Sequence, residues 1–272
     1  MKNTVFTPLI SIRWITVTCF EIKIGDKTVV IDPFIGLSPG TVATAEIIEG
    51  ADIIAVTHTH WDHVTDIGYL MDKFNSKVIV GDLSAMDLAR YLNRNAHYLY
   101  PVCHNTELDF GWVKIKALIG RHQNMRKSFI TTATSFRDKP FYEQYQDLEP
   151  LGWFGTLEYR NYVITTPDNF KILIYGNTPS VEQVNMLKDI KPDLALLQLT
   201  RPIPEEIAAF ANDIGAKMVM PHHMDLAKNP EEYLPVVDEF CKAFSALRPG
   251  GIAINPEHSR WYDISLHCSP RP

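Results

Sequence analysis

Apolar and polar positions alternate in short blocks along most of the 272-residue chain. Residues 11–24, SIRWITVTCFEIKI, carry β-branched and aromatic side chains in partial alternation, which predicts extended structure. A turn at Gly25-Asp26-Lys27 leads into residues 28–31, the returning strand of a hairpin. Asp32-Pro33 closes it, because the proline ring restricts the residue before it. A short helix is expected over 43–49. Residues 52–57, DIIAVT, are almost wholly apolar, as in a strand covered on both faces. Helical spacing follows at 67–74 and 84–92, with strands at 77–80, 96–102 and 112–118. From Gln123 to about Pro150 the chain turns polar and aromatic-rich, which marks an insertion or lid over 123–155.

The second half repeats the order. Strands are expected at 157–165 and 171–175, around the turn Pro167-Asp168-Asn169. Ser180-x-x-Gln183 matches a capping box ahead of a helix at 181–190. Strands at 194–199 and 217–220 alternate with helices at 204–214 and 231–244, and residues 251–255 and 263–266 read as closing strands. Each half thus runs from antiparallel strands into β-α units. That order predicts an α/β fold with two mixed sheets and helices outside, in one four-layer domain spanning 1–272. No flexible linker, heptad array or low-complexity tract interrupts it.

Composition adds little to this picture, with 46% hydrophobic and 21% charged residues. A formal charge of −6 argues against a nucleic-acid backbone as the main partner. The four cysteines, Cys19, Cys103, Cys241 and Cys268, are too widely spaced for a zinc knuckle and read as free thiols. The first residues lack a signal-peptide pattern and no apolar run is long enough to span a bilayer, so a cytoplasmic location is expected. Homo-oligomerisation is compatible with the sequence.

The chemistry concentrates at His58-Thr59-His60-Trp61-Asp62-His63, directly after the apolar run 52–57. Residues two apart in an extended segment point the same way, so His58 and His60 can share one metal. Asp62 and His63 are offset from them and can reach a second. Imidazole with carboxylate suits zinc, and also iron or manganese. Asp32, the apolar run and HTHWDH together resemble the H-x-H-x-D-H signature of the metallo-β-lactamase superfamily. The resemblance covers nearly the whole chain, with 123–150 matching least.

That resemblance implies an αββα sandwich holding one or two divalent ions, zinc foremost, at one edge. It implies His122 as the third ligand of the first ion, beside His58 and His60. It implies a histidine after Pro221 in the second site, favouring His223, with His222 supporting the ligands, facing substrate or stabilising a leaving group. Asp32 would hydrogen-bond the loop of ligands and fix histidine tautomers. Asp62 would orient a metal-bound hydroxide or accept its proton. The superfamily commonly places a bridging aspartate after a strand in the second half. Here that text is KILIYGNTPS and the position is Asn177, whose neutral carboxamide weakens the second site most.

The Asp32-Pro33 segment and PHHMD at 221–225 resemble the L-ascorbate-6-phosphate lactonases and related hydrolases. This implies a small lactone, ester or phosphoester substrate. Arg121, Arg126, Lys127 and Arg201 are candidate anion contacts. Phe129, Phe136, Phe141, Tyr142, Tyr145, Trp153 and Phe154 are candidates for an apolar wall, for core or for a dimer contact. Other readings are a phosphodiesterase or nuclease, a non-catalytic or redox metal protein of the same fold, and an exported class B β-lactamase. No G-x-S-x-G elbow or nucleotide-binding glycine motif is present.

Overall fold

The computed structural model describes residues 10–36, 38, 41, 43–122, 149–176, 179–200, 203–226 and 230–264. Two seven-stranded mixed sheets form its centre, with helices outside, giving the αββα sandwich.

The first sheet uses β1 (Ile10–Thr16), β2 (Cys19–Ile24), β3 (Lys27–Ile31), β4 (Ile53–Ala55), β5 (Lys77–Gly81), β6 (Leu99–Val102) and β14 (Trp261–Ile264). Its order is β14-β1-β2-β3-β4-β5-β6. Neighbours from β14 to β3 are antiparallel, and those from β3 to β6 are parallel. The second sheet uses β7 (Glu107–Asp109), β8 (Lys114–Ile119), β9 (Arg160–Thr165), β10 (Lys171–Tyr175), β11 (Leu194–Gln198), β12 (Met218–His222) and β13 (Ile252–Ala253), in the order β13-β12-β11-β10-β9-β8-β7. It is antiparallel from β7 to β10 and parallel from β10 to β13.

Period-two patterning explains the layers. Phe20, Ile22, Val29, Ile31, Ile53, Ala55 and Ile79 join the core shared with the second sheet. Val30, Ile54, Val78 and Val80 alternate with them and face outward. There they meet α2 (Ile67–Phe74) and α3 (Ala85–Leu92) through Ile67, Leu70 and Leu88. Burial on both faces is why these strands read as continuous apolar runs. The second sheet is covered by α6 (Pro204–Asp213) and α7 (Pro230–Leu247), which pack on each other. Among the described residues the remaining helices are α1 (Trp61–Val64), α4 (Glu149–Leu157) and α5 (Val181–Leu187).

Several expected elements change. Residues 11–24 are two strands, because the chain reverses at Val17-Thr18. Val17 takes a left-handed φ of 50° there, which no glycine or asparagine announces. The expected helix at 43–49 is a single 3-10 turn, Ala45–Ile47. Leu157 ends a helix rather than starting a strand, and β12 runs on through Pro221 to His222. Strand β7 comes from a polar stretch, Glu107–Asp109, that has no apolar alternation to reveal it.

At one edge the two sheets are stitched directly. The Tyr162 hydroxyl donates to the Val56 carbonyl at 2.7 Å, and Arg160 N donates to the Thr57 carbonyl at 2.8 Å. The candidate site lies at this edge, where the parallel strands β3, β4 and β12 end.

Candidate metal centre

The strand β4 delivers His58, Thr59 and His60 in extended backbone, and α1 then begins at Trp61, whose ring packs edge-on against Phe34 at 5.0 Å. This switch separates the ligands. Extended His58 and His60 face one side, whereas Asp62 and His63, on the first helical turn, swing to another. His122 arrives after β8 and His223 after β12. The donor atoms of His58, His60 and His122 all lie within 4.8 Å of one another, and so do those of Asp62, His63 and His223. The rings of His58 and His63 are 4.0 Å apart, so the two triads adjoin.

Hydrogen bonds set the His58 tautomer. The Thr57 hydroxyl donates its single proton to Asp32 Oδ2 at 2.5 Å. Toward His58 Nδ1, 3.1 Å away, it can therefore only accept, so Nδ1 carries the proton and Nε2 is bare. The His60 ring also interacts with the Gly152 backbone of α4. His58 Nε2 and His60 Nδ1 face each other at 3.1 Å. Zinc–nitrogen bonds of ~2.0–2.1 Å at a tetrahedral angle set two nitrogens about 3.3 Å apart, close to this spacing.

The second triad is prepared in the same way. His63 Nδ1 donates to Asp32 Oδ2 at 2.7 Å, leaving Nε2 buried and without a hydrogen-bond partner among the described residues. Asp62 Oδ2 lies 3.7 Å from His63 Nε2 and 3.5 Å from His223 Nε2. Three imidazoles in one triad and two with a carboxylate in the other form donor sets that fit zinc, iron or manganese.

Electrostatics agree. Burial, reinforced by His63, His60 and His122, holds His58 well below the usual imidazole range. Burial and the neighbouring His122 bring His60 down to about 3, and burial brings His122 to about 4. Neutral imidazole is the form that binds metal. Burial would lower His63 too, but Asp62 and Asp32 outweigh it and raise it. Burial opposes ionisation of Asp62, yet His63 and His223 hold it below the usual carboxylate range.

Residues 11–139 match the family described as a beta-lactamase superfamily domain. The chain is 28% identical over 257 residues to a UPF0173 metal-dependent hydrolase of Methanoculleus marisnigri, covering 90% of this chain and 97% of that protein. The two-sheet sandwich matches the metallo-β-lactamase fold, and the chain is similar to that superfamily in sequence over 11–139. Among solved structures of the superfamily fold, it is similar to Igni18, a metallo hydrolase from Ignicoccus hospitalis. The TM-score is 0.69 at 14% identity, covering 95% of this chain and 100% of that one. YhfI from Bacillus subtilis, a metallo-beta-lactamase fold protein, gives a TM-score of 0.61 at 12% identity, over 94% and 99% of the two chains.

Asp32 lies beneath both triads and accepts hydrogen bonds from Thr57 and His63. His222 stands outside both: it is fully buried and edge-on to Phe20, with ring centroids 5.6 Å apart. Arg121 is exposed beside His122. Asn177, Arg126, Lys127, Arg201, the aromatic residues at 129–145 and the Trp153 side chain lie outside the described residues. Phe154 is half-buried in α4.

Four contributors carry no signal in the ligand motif. Thr57 sets the His58 tautomer, and Gly152 holds the His60 ring. Gly155 lets α4 lie on the ligand loop, since a Cβ there would come within 2.8 Å of the His60 backbone nitrogen. The Tyr159 ring stacks on His58 at 4.8 Å, and its hydroxyl reaches Gly176 so closely that a Cβ on that glycine would lie 1.6 Å from it.

Proposed function

We propose that this chain is a metal-dependent hydrolase that activates water against a small lactone, ester or phosphoester. His58, His60 and His122 would hold one ion, and Asp62, His63 and His223 a second. Zinc is the metal that the nitrogen-rich set favours. A bound ion of this kind supplies Lewis acidity and lowers the pKa of a coordinated water toward neutrality.

The residues do the rest. Asp62 is buried and held ionised, so it can accept a proton or orient a water through the carboxylate oxygen not facing the histidines. Asp32 keeps His58 and His63 in the tautomers that expose their bare nitrogens. Asn177, neutral where the superfamily commonly carries aspartate, leaves the second ion the more weakly held. The lactone preference rests on the resemblance of the 32–33 and 221–225 segments to lactonases.

The observation that carries the reading is the convergence of donor atoms in two adjoining triads, with the facing nitrogens of His58 and His60 3.1 Å apart. The test is an assay of zinc-loaded protein against a panel of lactones, esters and phosphodiesters. The expected result is turnover of at least one class, lost on chelation and reduced at least about 100-fold in His60→Ala, the scale of a lost catalytic element. Fully metallated protein that turns over none of the panel, with His60→Ala indistinguishable from it, overturns the reading.

A further inference from the structure

The loop after β12 grips the turn between β1 and β2 through both backbone groups of one residue. Val17 N donates to Asp225 Oδ1 at 3.0 Å and to Oδ2 at 3.2 Å. The Val17 carbonyl accepts from His223 N at 2.7 Å and from Trp14 Nε1 at 2.9 Å. Asp225 Oδ2 also accepts from the Thr16 hydroxyl at 2.6 Å. With its proton so committed, Thr16 accepts from Ser38 at 2.5 Å. Every member is sealed from solvent: Val17 is 0%, Asp225 1% and His223 8% exposed.

Both residues joined by this clasp are strained. Val17 has φ 50° and His223 has φ 61°, in the left-handed region. A β-branched residue there is a genuine outlier, and such conformations persist only where the surroundings over-determine them. The left-handed turn at His223 directs its ring back toward Asp62, with Nε2 3.5 Å from Asp62 Oδ2. His223 is the one member of its triad that comes from the second sheet; Asp62 and His63 come from the first. The Val17 turn also belongs to the first sheet.

We propose that Asp225 is a positioning residue for the second metal site: it clamps the Val17 turn so that the Val17 carbonyl holds His223 in register with Asp62 and His63. The inference rests on the reading of that triad as a metal site. Asp225 touches no ligand atom of the triad and acts through Val17. Its buried carboxylate is the acceptor that makes the strained turn persist, so its loss releases His223 while leaving His58, His60 and His122 in place.

The test is cobalt titration of metal-free protein, following the absorption of each bound equivalent, together with amide hydrogen exchange. In Asp225→Ala the second equivalent is expected to weaken at least about tenfold, the scale seen when a residue supporting a ligand is lost. The first should change less than about threefold. Asp225→Asn, which keeps one acceptor for Val17 N, should fall between. Glycine adopts φ near 50° without strain. Val17→Gly in the Asp225→Ala background should therefore recover at least half of the loss on a logarithmic scale. Equal weakening of both equivalents, unchanged affinity of both, or no recovery with Val17→Gly overturns the proposal. If wild-type protein binds no cobalt, the metal reading itself fails. The clasp is then decided by exchange at the His223 amide relative to Val219: about tenfold acceleration in Asp225→Ala supports it, and unchanged exchange refutes it.

Discussion

Asp32 sits beneath both triads and spends three bonds on them. It accepts from Thr57 N at 2.7 Å, from the Thr57 hydroxyl and from His63 Nδ1. The bare nitrogen of His58 depends on Thr57 as an acceptor. Thr57→Val keeps the shape and removes that acceptor, and should weaken the first ion by about 10–100-fold with little loss of fold. Metal titration of the variant checks this. The depressed histidines also set a pH dependence for the metal-free protein. His58, His60 and His122 have folded values below the ~6.5 of an unfolded histidine. Between those limits the unfolded chain binds more protons, so stability is full above about 6.5 and falls as pH drops below it. His63 acts the other way, losing its contribution as pH rises through its elevated value. Burial holds His222 well below the usual imidazole range too, so four groups against one predict a melting temperature, measured with chelator, that falls between pH 7 and pH 5. A flat profile would contradict this account. At this scale the clustering of His58, His60, Asp62 and His63 is legible in the sequence, because metal chemistry demands those residue types at that spacing. The roles of Thr57, Gly152 and Tyr159 are not, because a hydroxyl, a backbone group and a ring become partners only after distant strands meet.

Helix α4 is the element that bears most directly on the ligand loop. Its Gly152 backbone meets the His60 ring, the Leu151 carbonyl accepts from the Thr59 hydroxyl at 2.7 Å, and Gly155 lies against the loop backbone. A Cβ at Gly155 would meet the His60 nitrogen at 2.8 Å and the Thr59 carbonyl carbon at 2.9 Å, both backbone atoms that cannot turn aside. Gly155→Ala should cost about 1–3 kcal/mol by overpacking and weaken the first ion. Thermal melting and metal titration read the two effects, and an unchanged melting temperature would show that the helix can retreat. The long periodic elements follow from pattern, as α2 and the parallel strands do. The Val17-Thr18 turn did not, because the conformation is imposed by Asp225 and His223, more than 200 positions later in the chain. The α1 start at Trp61 likewise depends on the Phe34 contact.

Across the whole molecule, each triad draws side chains from both sheets. His58, His60, Asp62 and His63 follow β4, whereas His122 follows β8 and His223 follows β12. An ion in either triad therefore ties one sheet to the other, and binding to the folded state alone raises stability by mass action. Chelation should lower the melting temperature by several degrees, since ligand at ~100 times its dissociation constant adds about 2.7 kcal/mol. On the proposed role of Asn177, Asn177→Asp should tighten the second ion without altering the first. Unchanged affinity would show that Asn177 is not at the centre. No helix among the described residues is long and apolar enough to cross a membrane. The most direct test of the paired metal centre is zinc stoichiometry under saturating metal. Two ions per chain are predicted for the wild type, with His60→Ala and His63→Ala each reduced to one. A wild type that binds none, or variants that match it in stoichiometry and affinity, would contradict the account.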